Sequence, residues 1–410
     1  MKFPKPDRMN SAVILAAGFA SVLPLIVFSR PFRELYFFHD DWELLDGAAR
    51  TNLWAWLLQP FLGESIIPVF KLLWLGAVQV FGGGYFAMIC LLWATHLANC
   101  LLLGSLLARF RVPTAAIAFA VLTFGLAWSN IETLGWSIQW CSQLALLFFL
   151  AAWHWLLRII EGRAGLGGYS LCLMASALTS SRGIISGLLL GIFLLFTAAE
   201  RRQKTLLCAV SVTPTLLTTL AMVAFVGPGG HENVLSALSY AAHYFLLNPL
   251  YHLVSIPNKT VGILALCVYG FIKVGVIVWA LRKTDERLRP LLLALVAFDL
   301  LNAVALGFGR YQKGISTSVS SRYQYISLLC FGPVAGMLVA RSRRLLQAML
   351  FLVWVPILAY PWNRHAPRWA RWRGIEIRDR LAKVPDTDHF DPSSLTAGRA
   401  RELTKLYRLH

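Results

Sequence analysis

Long apolar stretches separated by short charged, glycine or proline breaks fill most of the chain, and their length carries the first structural information. From Ser11 onward, runs of about 16 to 24 apolar residues recur, close to the roughly 20 that cross about 30 Å of hydrocarbon as a helix. Cut at the breaks, they predict spans near residues 11–28, 85–107, 113–129, 141–157, 168–180, 184–199, 205–226, 260–281, 290–308, 323–340 and 345–360. The expected fold is therefore an all-α polytopic membrane protein with about eleven transmembrane helices. The two halves of the hairpin around "ALTSSRGIISG" are the shortest segments, and a single tilted helix is the alternative there.

Two regions break the pattern. Residues 30–82 hold the acid-rich stretch "YFFHDDWELLDG". Here Asp40 is placed to N-cap a helix from about Asp41 to Leu58, with Glu43 as an approximate capping-box partner. Trp42, Leu45, Ala49, Leu53 and Trp56 would form its apolar stripe, as expected for a juxtamembrane helix lying on the bilayer surface. Residues 361–410 form a short tail with eleven Lys and Arg against six acids. Its "WNRHAPRWARWRG" interleaves Trp and Arg, which suits the headgroup belt.

Composition agrees with the pattern: 57% of the 410 residues are hydrophobic, 14% are charged, and mean hydropathy is +0.61. A water-soluble domain of this size would have nowhere to bury so much apolar side chain. The first run has the basic flank of a signal peptide, but its apolar core is too long and no small-x-small site closes it, so it is expected to be retained. Seven scattered cysteines without a CxxC pair imply neither a disulfide framework nor a zinc site.

Charge adds orientation. With the N-terminus cytoplasmic, seventeen basic residues fall in the cytoplasmic loops, against nine in the longer loops opposite. "HDDWELL" is then external, and so is the tail. The net charge of +18 is divided among many loops rather than gathered on one face, which argues against nucleic-acid binding.

Candidate chemistry lies in the external loops. One of Asp40 and Asp41 is placed to accept a proton from a hydroxyl or amine attacking a lipid-anchored substrate, with helix capping as the structural alternative. A divalent metal held by His39, Asp41 and Glu43 is a weaker option, since no second cluster completes a shell; no cofactor is otherwise expected. Glu132, among the three indoles of "WSNIETLGWSIQWCSQ", suits a sugar, or marks an aromatic belt with one solvated acid. Arg310, Lys313 and Arg322, interleaved with Tyr311, Tyr323 and Tyr325, form a candidate phosphate clamp, or snorkel to headgroups. Arg182, at the hairpin turn, needs an anion if buried. Lys273 and Asp299 lie mid-span and are expected to neutralise each other, while His96 and Asn99 are expected to bond between helices.

The order of these features resembles the GT-C superfamily of integral membrane glycosyltransferases. A first span, an external "HDDW" loop, "SIIPVFKLLWLGAVQVFGGGYFAMICLLWATHLANCLLL", "SSRG" and "SRYQY" are most similar to the branch of protein mannosyltransferases, lipid A aminoarabinose transferases and rhizobial lipopolysaccharide sugar transferases. The likeness covers roughly residues 9 to 360. It implies that Asp40 and Asp41 stand at the family's acidic pair, His96 to Asn99 at its "HLxN", and Arg322–Tyr323 at its late Arg-Tyr motif. The hairpin has Ser181 and Arg182 where many relatives carry a Lys-Glu pair, and the tail is too short for a large external domain.

The resemblance implies transfer of a sugar from a polyprenyl-phosphate carrier to a glycan, lipid or protein acceptor, on the outer face of a membrane such as the bacterial inner membrane. The expected roles are Asp40, Asp41 and Glu132 in catalysis, and Arg322, Tyr323, Arg310, Lys313 and Arg182 in donor phosphate binding. A flippase or exporter of lipid-linked glycans is the alternative from another class, and a lipid-linked oligosaccharide ligase or polymerase shares the donor chemistry.

Overall fold

The computed structural model describes residues 8–61, 65–197, 201–226, 233–253, 263–389 and 395–410. They fold into helices and connecting turns; no strand longer than an isolated bridge occurs among the described residues. Among the described residues eight helices are long and apolar enough to cross a membrane: Arg8–Val27, Tyr85–Arg109, Ser137–Ile160, Arg201–Phe225, Leu264–Lys283, Arg289–Lys313, Ser321–Arg341 and Arg344–Lys383.

The other three expected segments are built differently. Thr114–Leu126 and Trp128–Leu134 pass the same test only together, and are bent by 44°. The hairpin is two helices, Leu166–Ala177 and Ile184–Leu195, of 12 residues each, about 18 Å long at 1.5 Å per residue. The ends of the expected segments 184–199 and 260–281 fall outside the described residues. The reversal between the hairpin halves depends on Gly183, where a Cβ would sit 1.8 Å from the Ser176 carbonyl oxygen.

Contacts sort the loops to two ends of the bundle. At one, Thr114 Oγ1 donates to Asn10 Oδ1 (2.7 Å), Arg109 pairs with Glu161 (2.7 Å), and Gln203 reaches the Ile159 carbonyl. At the other, Arg182 donates to the Arg322 carbonyl, Glu132 meets Ser321, and Trp362 Nε1 donates to the Leu126 carbonyl (2.9 Å). The apolar bundle core lies between these ends. A second, aromatic core occupies the end where residues 30–82, 128–144 and the tail meet, with Trp42, Trp74, Trp93, Trp136 and Trp362 all buried.

The tail is part of this second core. Tyr36 N–H donates to the Arg373 carbonyl (3.2 Å), Arg378 reaches the Leu35 carbonyl, and Arg399 pairs with Asp46 (2.8 Å). His410 and the strip 83–85 exchange two backbone hydrogen bonds of 3.2 Å. Of the residues expected in the headgroup belt, Trp362 is buried and Trp369 partly so, while Trp372 stays half exposed.

The surface helix expected over 41–58 is two helices. Asp40–Arg50 ends at Thr51, which is extended, and Leu53–Leu58 starts anew with Asn52 as its cap, Oδ1 accepting from Ala55 N–H (2.9 Å). Asn favours ending one helix and capping the next over continuing through. Asp40 is therefore not the N-cap; His39 is, with no side-chain cap bond, and Asp40 is the first helical residue. Trp42, Leu45 and Trp56 of the predicted stripe are buried in protein, and the large apolar residues left exposed are Leu53, Trp54 and Leu58.

The mid-span polar residues satisfy one another. Lys273 Nζ pairs with Asp299 (2.6 Å) and donates to the Phe245 and Asn248 carbonyls (2.6 Å each). His96 contacts the Tyr325 hydroxyl (2.9 Å), and Asn99 donates to it (3.1 Å) and to the Gln143 carbonyl (3.0 Å), so both bond between helices. The Lys273–Asp299 ion pair keeps either charge from lying unpaired in the apolar body, although Asp299 Oδ1 and Asn99 Oδ1 have no hydrogen-bond partner among the described residues.

Candidate active site

The two aspartates face different surroundings. Asp41 is fully buried: Oδ1 accepts from Ser137 Oγ (2.6 Å), and Oδ2 from Phe38 N–H (3.2 Å) and, at 3.4 Å, the Tyr85 hydroxyl. Burial pushes its carboxyl up to about 7, although those three bonds favour the charged form. Asp40 keeps 14% of its side chain exposed and contacts the His39 imidazole. His39 has φ 51°, a left-handed backbone that costs a non-glycine residue about 1 kcal/mol or more. The Phe38 N–H bond to Asp41 ties down the peptide just before this strained position, so Asp41 helps hold the loop that presents Asp40.

Glu132 lies on the short helix Ile131–Leu134 and is 9% exposed. Its Oε2 accepts from Ser321 Oγ (2.5 Å), Arg322 N–H (3.2 Å) and Ser320 Oγ (3.4 Å). It therefore pins the turn Ser321–Tyr323 at the head of the helix Gln324–Arg341. Held there, Arg322 feels the charge of Glu132 and, more weakly, that of Asp40.

The cations gather around an aromatic ring. The guanidinium groups of Arg182 and Arg322 stand 5.2 and 5.1 Å from the centre of the Tyr323 ring. Tyr323 is fixed from behind, its carbonyl accepting from the Tyr244 hydroxyl (2.9 Å). Arg310 is close enough to act electrostatically on Arg182. Lys313, by contrast, ends an exposed turn, Tyr311–Lys313, and no contact brings it to this group. Arg322 Nε is buried with no hydrogen-bond partner among the described residues. Several guanidinium groups packed together repel one another, and an oxyanion is the chemistry that relieves this.

Beside this group opens a cavity of about 620 Å³, bordered by Trp128, His252, Ser321, His365, Arg368 and Trp369. Of the carboxylate–guanidinium cluster only Ser321, which is bonded to Glu132, borders this cavity. Trp128 stacks on His365 (4.0 Å between ring centres, 14° between planes), with His252 edge-on at 5.7 Å. Burial holds the His252 imidazole below its usual range, so it is neutral near pH 7. Of the other two indoles around Glu132, Trp136 stacks on Phe38 and Trp140 donates to Thr95 Oγ1 (2.9 Å). Behind the wall, Arg373 of the tail packs its guanidinium 3.7 Å from the Trp372 ring centre and 4.2 Å from that of Phe38.

His39, Asp41 and Glu43 do not converge: Asp41 turns into the core while His39 meets Asp40. No group of three or more His, Cys, Asp or Glu is placed to hold a metal ion among the described residues.

Several site residues carried no sequence signal. Tyr85 and Ser137 support Asp41 from 44 and 96 positions away, and His365 and Arg368 belong to a tail whose composition points to lipid headgroups. Ser321 was within reach, since it adjoins Arg322 in "SSRY". No protein-family model, curated protein or solved structure matches the chain.

Proposed function

We propose that this protein is a membrane glycosyltransferase that moves a sugar from a polyprenyl-phosphate carrier to an acceptor bound at the outer face of the membrane. One observation carries the proposal: a partly exposed carboxylate, Asp40, is within electrostatic reach of Arg322, which shares an aromatic platform with Arg182 beside a cavity of about 620 Å³. Base, phosphate clamp and ring-sized space are the parts that glycosyl transfer needs.

Asp40, rather than the buried Asp41, takes the proton of the acceptor hydroxyl or amine as its oxygen or nitrogen attacks the anomeric carbon. The bond from that carbon to the carrier phosphate breaks, and configuration inverts. The departing polyprenyl phosphate gains negative charge, which Arg322, Arg182 and Arg310 stabilise. Glu132 holds Arg322 in place. The positive-inside pattern puts this end of the bundle outside, which in a bacterium is the periplasmic face of the inner membrane. A carrier of lipid-linked glycans would keep mid-span charges available to its cargo, whereas Lys273 and Asp299 are consumed by each other.

The test is sugar transfer by the purified protein in detergent, scored with a panel of polyprenyl-phosphate sugars. Asp40→Asn is expected to lower turnover by about 10²–10⁴-fold and Arg322→Gln by about 10²–10³-fold, with unfolding temperatures kept near wild type. Full activity of Asp40→Asn would end the assignment of the base. Absence of transfer, alongside movement of labelled carrier across vesicles, would favour the carrier.

A further inference from the structure

The cavity has a wall that the transfer reaction itself does not require. Its outer side is built by the tail helix, which contributes His365, Arg368, Trp369, Arg371, Trp372 and Glu376. Arg371 is partly neutralised by Glu376, its Nε 3.7 Å from Oε1. Arg368 has no ion pair among the described residues, so two guanidinium groups border the space against one carboxylate. Trp128 borders the same space with its ring stacked on His365 of this wall. The cations proposed to hold the donor phosphate, Arg182, Arg322 and Arg310, do not border this space; of that group only Ser321, bonded to Glu132, does.

From this separation we infer that the tail-walled cavity is the acceptor subsite and that it takes an acidic sugar, a pyranose bearing a carboxylate or phosphate. The chemistry has three parts. Indole faces cover the C–H side of a sugar ring, and the stacked pair Trp128–His365 offers a flat wall for it. The neutral His252 imidazole supplies a polar edge. Arg368 and Arg371 supply planar forks that fit an oxyanion and reject a neutral ring only through its missing charge. A volume near 620 Å³ lies within the range of small-molecule sites and accommodates more than one ring. Ser321, which borders the cavity and bonds Glu132 beside Arg322, is the side from which a bound ring would offer its hydroxyl, so the acceptor role, though not the binding, rests on the transfer reading.

Binding is measured without any donor, which separates this inference from the reaction. The purified full-length protein in neutral detergent is titrated with hyaluronan tetrasaccharide, which carries glucuronate, and with the uncharged chitotetraose, followed by calorimetry and tryptophan fluorescence. The acidic sugar is expected to bind at least about tenfold more tightly than the neutral one, as one charge-assisted contact would give. Arg368→Gln should remove most of that preference while Arg368→Lys keeps part of it, both with wild-type unfolding temperature. Trp369→Ala should weaken both sugars. Equal affinity for the two sugars, or a preference untouched by Arg368→Gln, overturns the inference. So does binding to nanodiscs of anionic phospholipid, lost in Arg368→Gln, with no binding of either sugar, since the wall would then hold a lipid headgroup. If the acidic sugar binds and no donor sugar is transferred, the subsite stands and the proposed reaction falls.

Discussion

Two neighbouring carboxyl groups with different burial make the residue scale the most informative one. The Asp41 carboxyl, raised to about 7, binds its proton more tightly in the folded than in the unfolded chain, where the usual value is near 3.8. The native state therefore holds more protons between about pH 4 and 7, and stability falls as pH rises through that window, then levels off above about 7. Asp41→Asn removes this term. Its unfolding temperature relative to wild type should rise between pH 5 and pH 8, by an amount equivalent to at most a few kcal/mol at about 1.4 kcal/mol per pH unit. A constant difference across that range would mean that Asp41 is ionised when folded. Asp40 is partly open to solvent and bonded to His39, whereas Asp41 is enclosed and ties down the loop.

At the scale of elements, the tail is held by close backbone approach. Gly374 sits where a Cβ would come within 1.8 Å of the Glu34 carbonyl oxygen, and the neighbouring strip exchanges the Tyr36–Arg373 backbone bond. Backbone on both sides leaves no flexible atom to yield, so Gly374→Ala should push the tail off the loop 30–50. Faster tryptic cleavage after Arg378 and Arg380, with the membrane core intact, is the expected readout. A second element pair tests the bundle. Removing one partner of the Lys273–Asp299 bridge, as in Lys273→Met, leaves a buried carboxylate and should cost about 3–5 kcal/mol, whereas Lys273→Met with Asp299→Leu should recover much of that. Thermal unfolding of the two variants in detergent compares them; equal losses would show that the pair is not coupled. The break at Thr51–Asn52 belongs to this scale too. Apolar spacing alone reads straight through it, because Trp42 and Trp56 keep a helical stripe on either side, and only the Asn52 cap marks the new start.

For the whole molecule, the contacts that sort the loops make a topological prediction. Arg50 and Thr387 belong to one end, with the acidic loop and the tail, and Arg163 belongs to the other, near Glu161. Cysteines placed at 50 and 387 should react with an impermeant thiol reagent on the same side of intact cells, and one at 163 only after lysis. Reaction of 50 and 163 from the same side would contradict the alternation of ends. The same scale explains why the tail, strongly basic and apparently destined for lipid headgroups, became a wall of the cavity. Burying Trp362 and half-burying Trp369 removes apolar area at about 25 cal/mol per Å², and that gain is available only once the loop 30–82 and the turn at Trp128 have come together.

What the sequence by itself determined is the membrane body, the helical class, and the grouping of chemistry-bearing side chains in loops at one end. Each of these follows from local quantities: the length of an apolar run against the thickness of hydrocarbon, and the high cost of leaving a charge within it. The internal pairing of Lys273 with Asp299 was legible for the same reason. Only the tertiary structure decided that Asp41 is inside and Asp40 at the surface, that Glu132 holds the turn of Arg322, that Arg182 joins Tyr323 while Lys313 stays apart, and that His365 and Arg368 border the cavity. Those outcomes depend on partners 44 to 190 residues apart, such as Tyr85 with Asp41 and Glu132 with Arg322. Adjacent aspartates share nearly the same local pattern, and their environments diverge only when Ser137 and Tyr85 close around one of them.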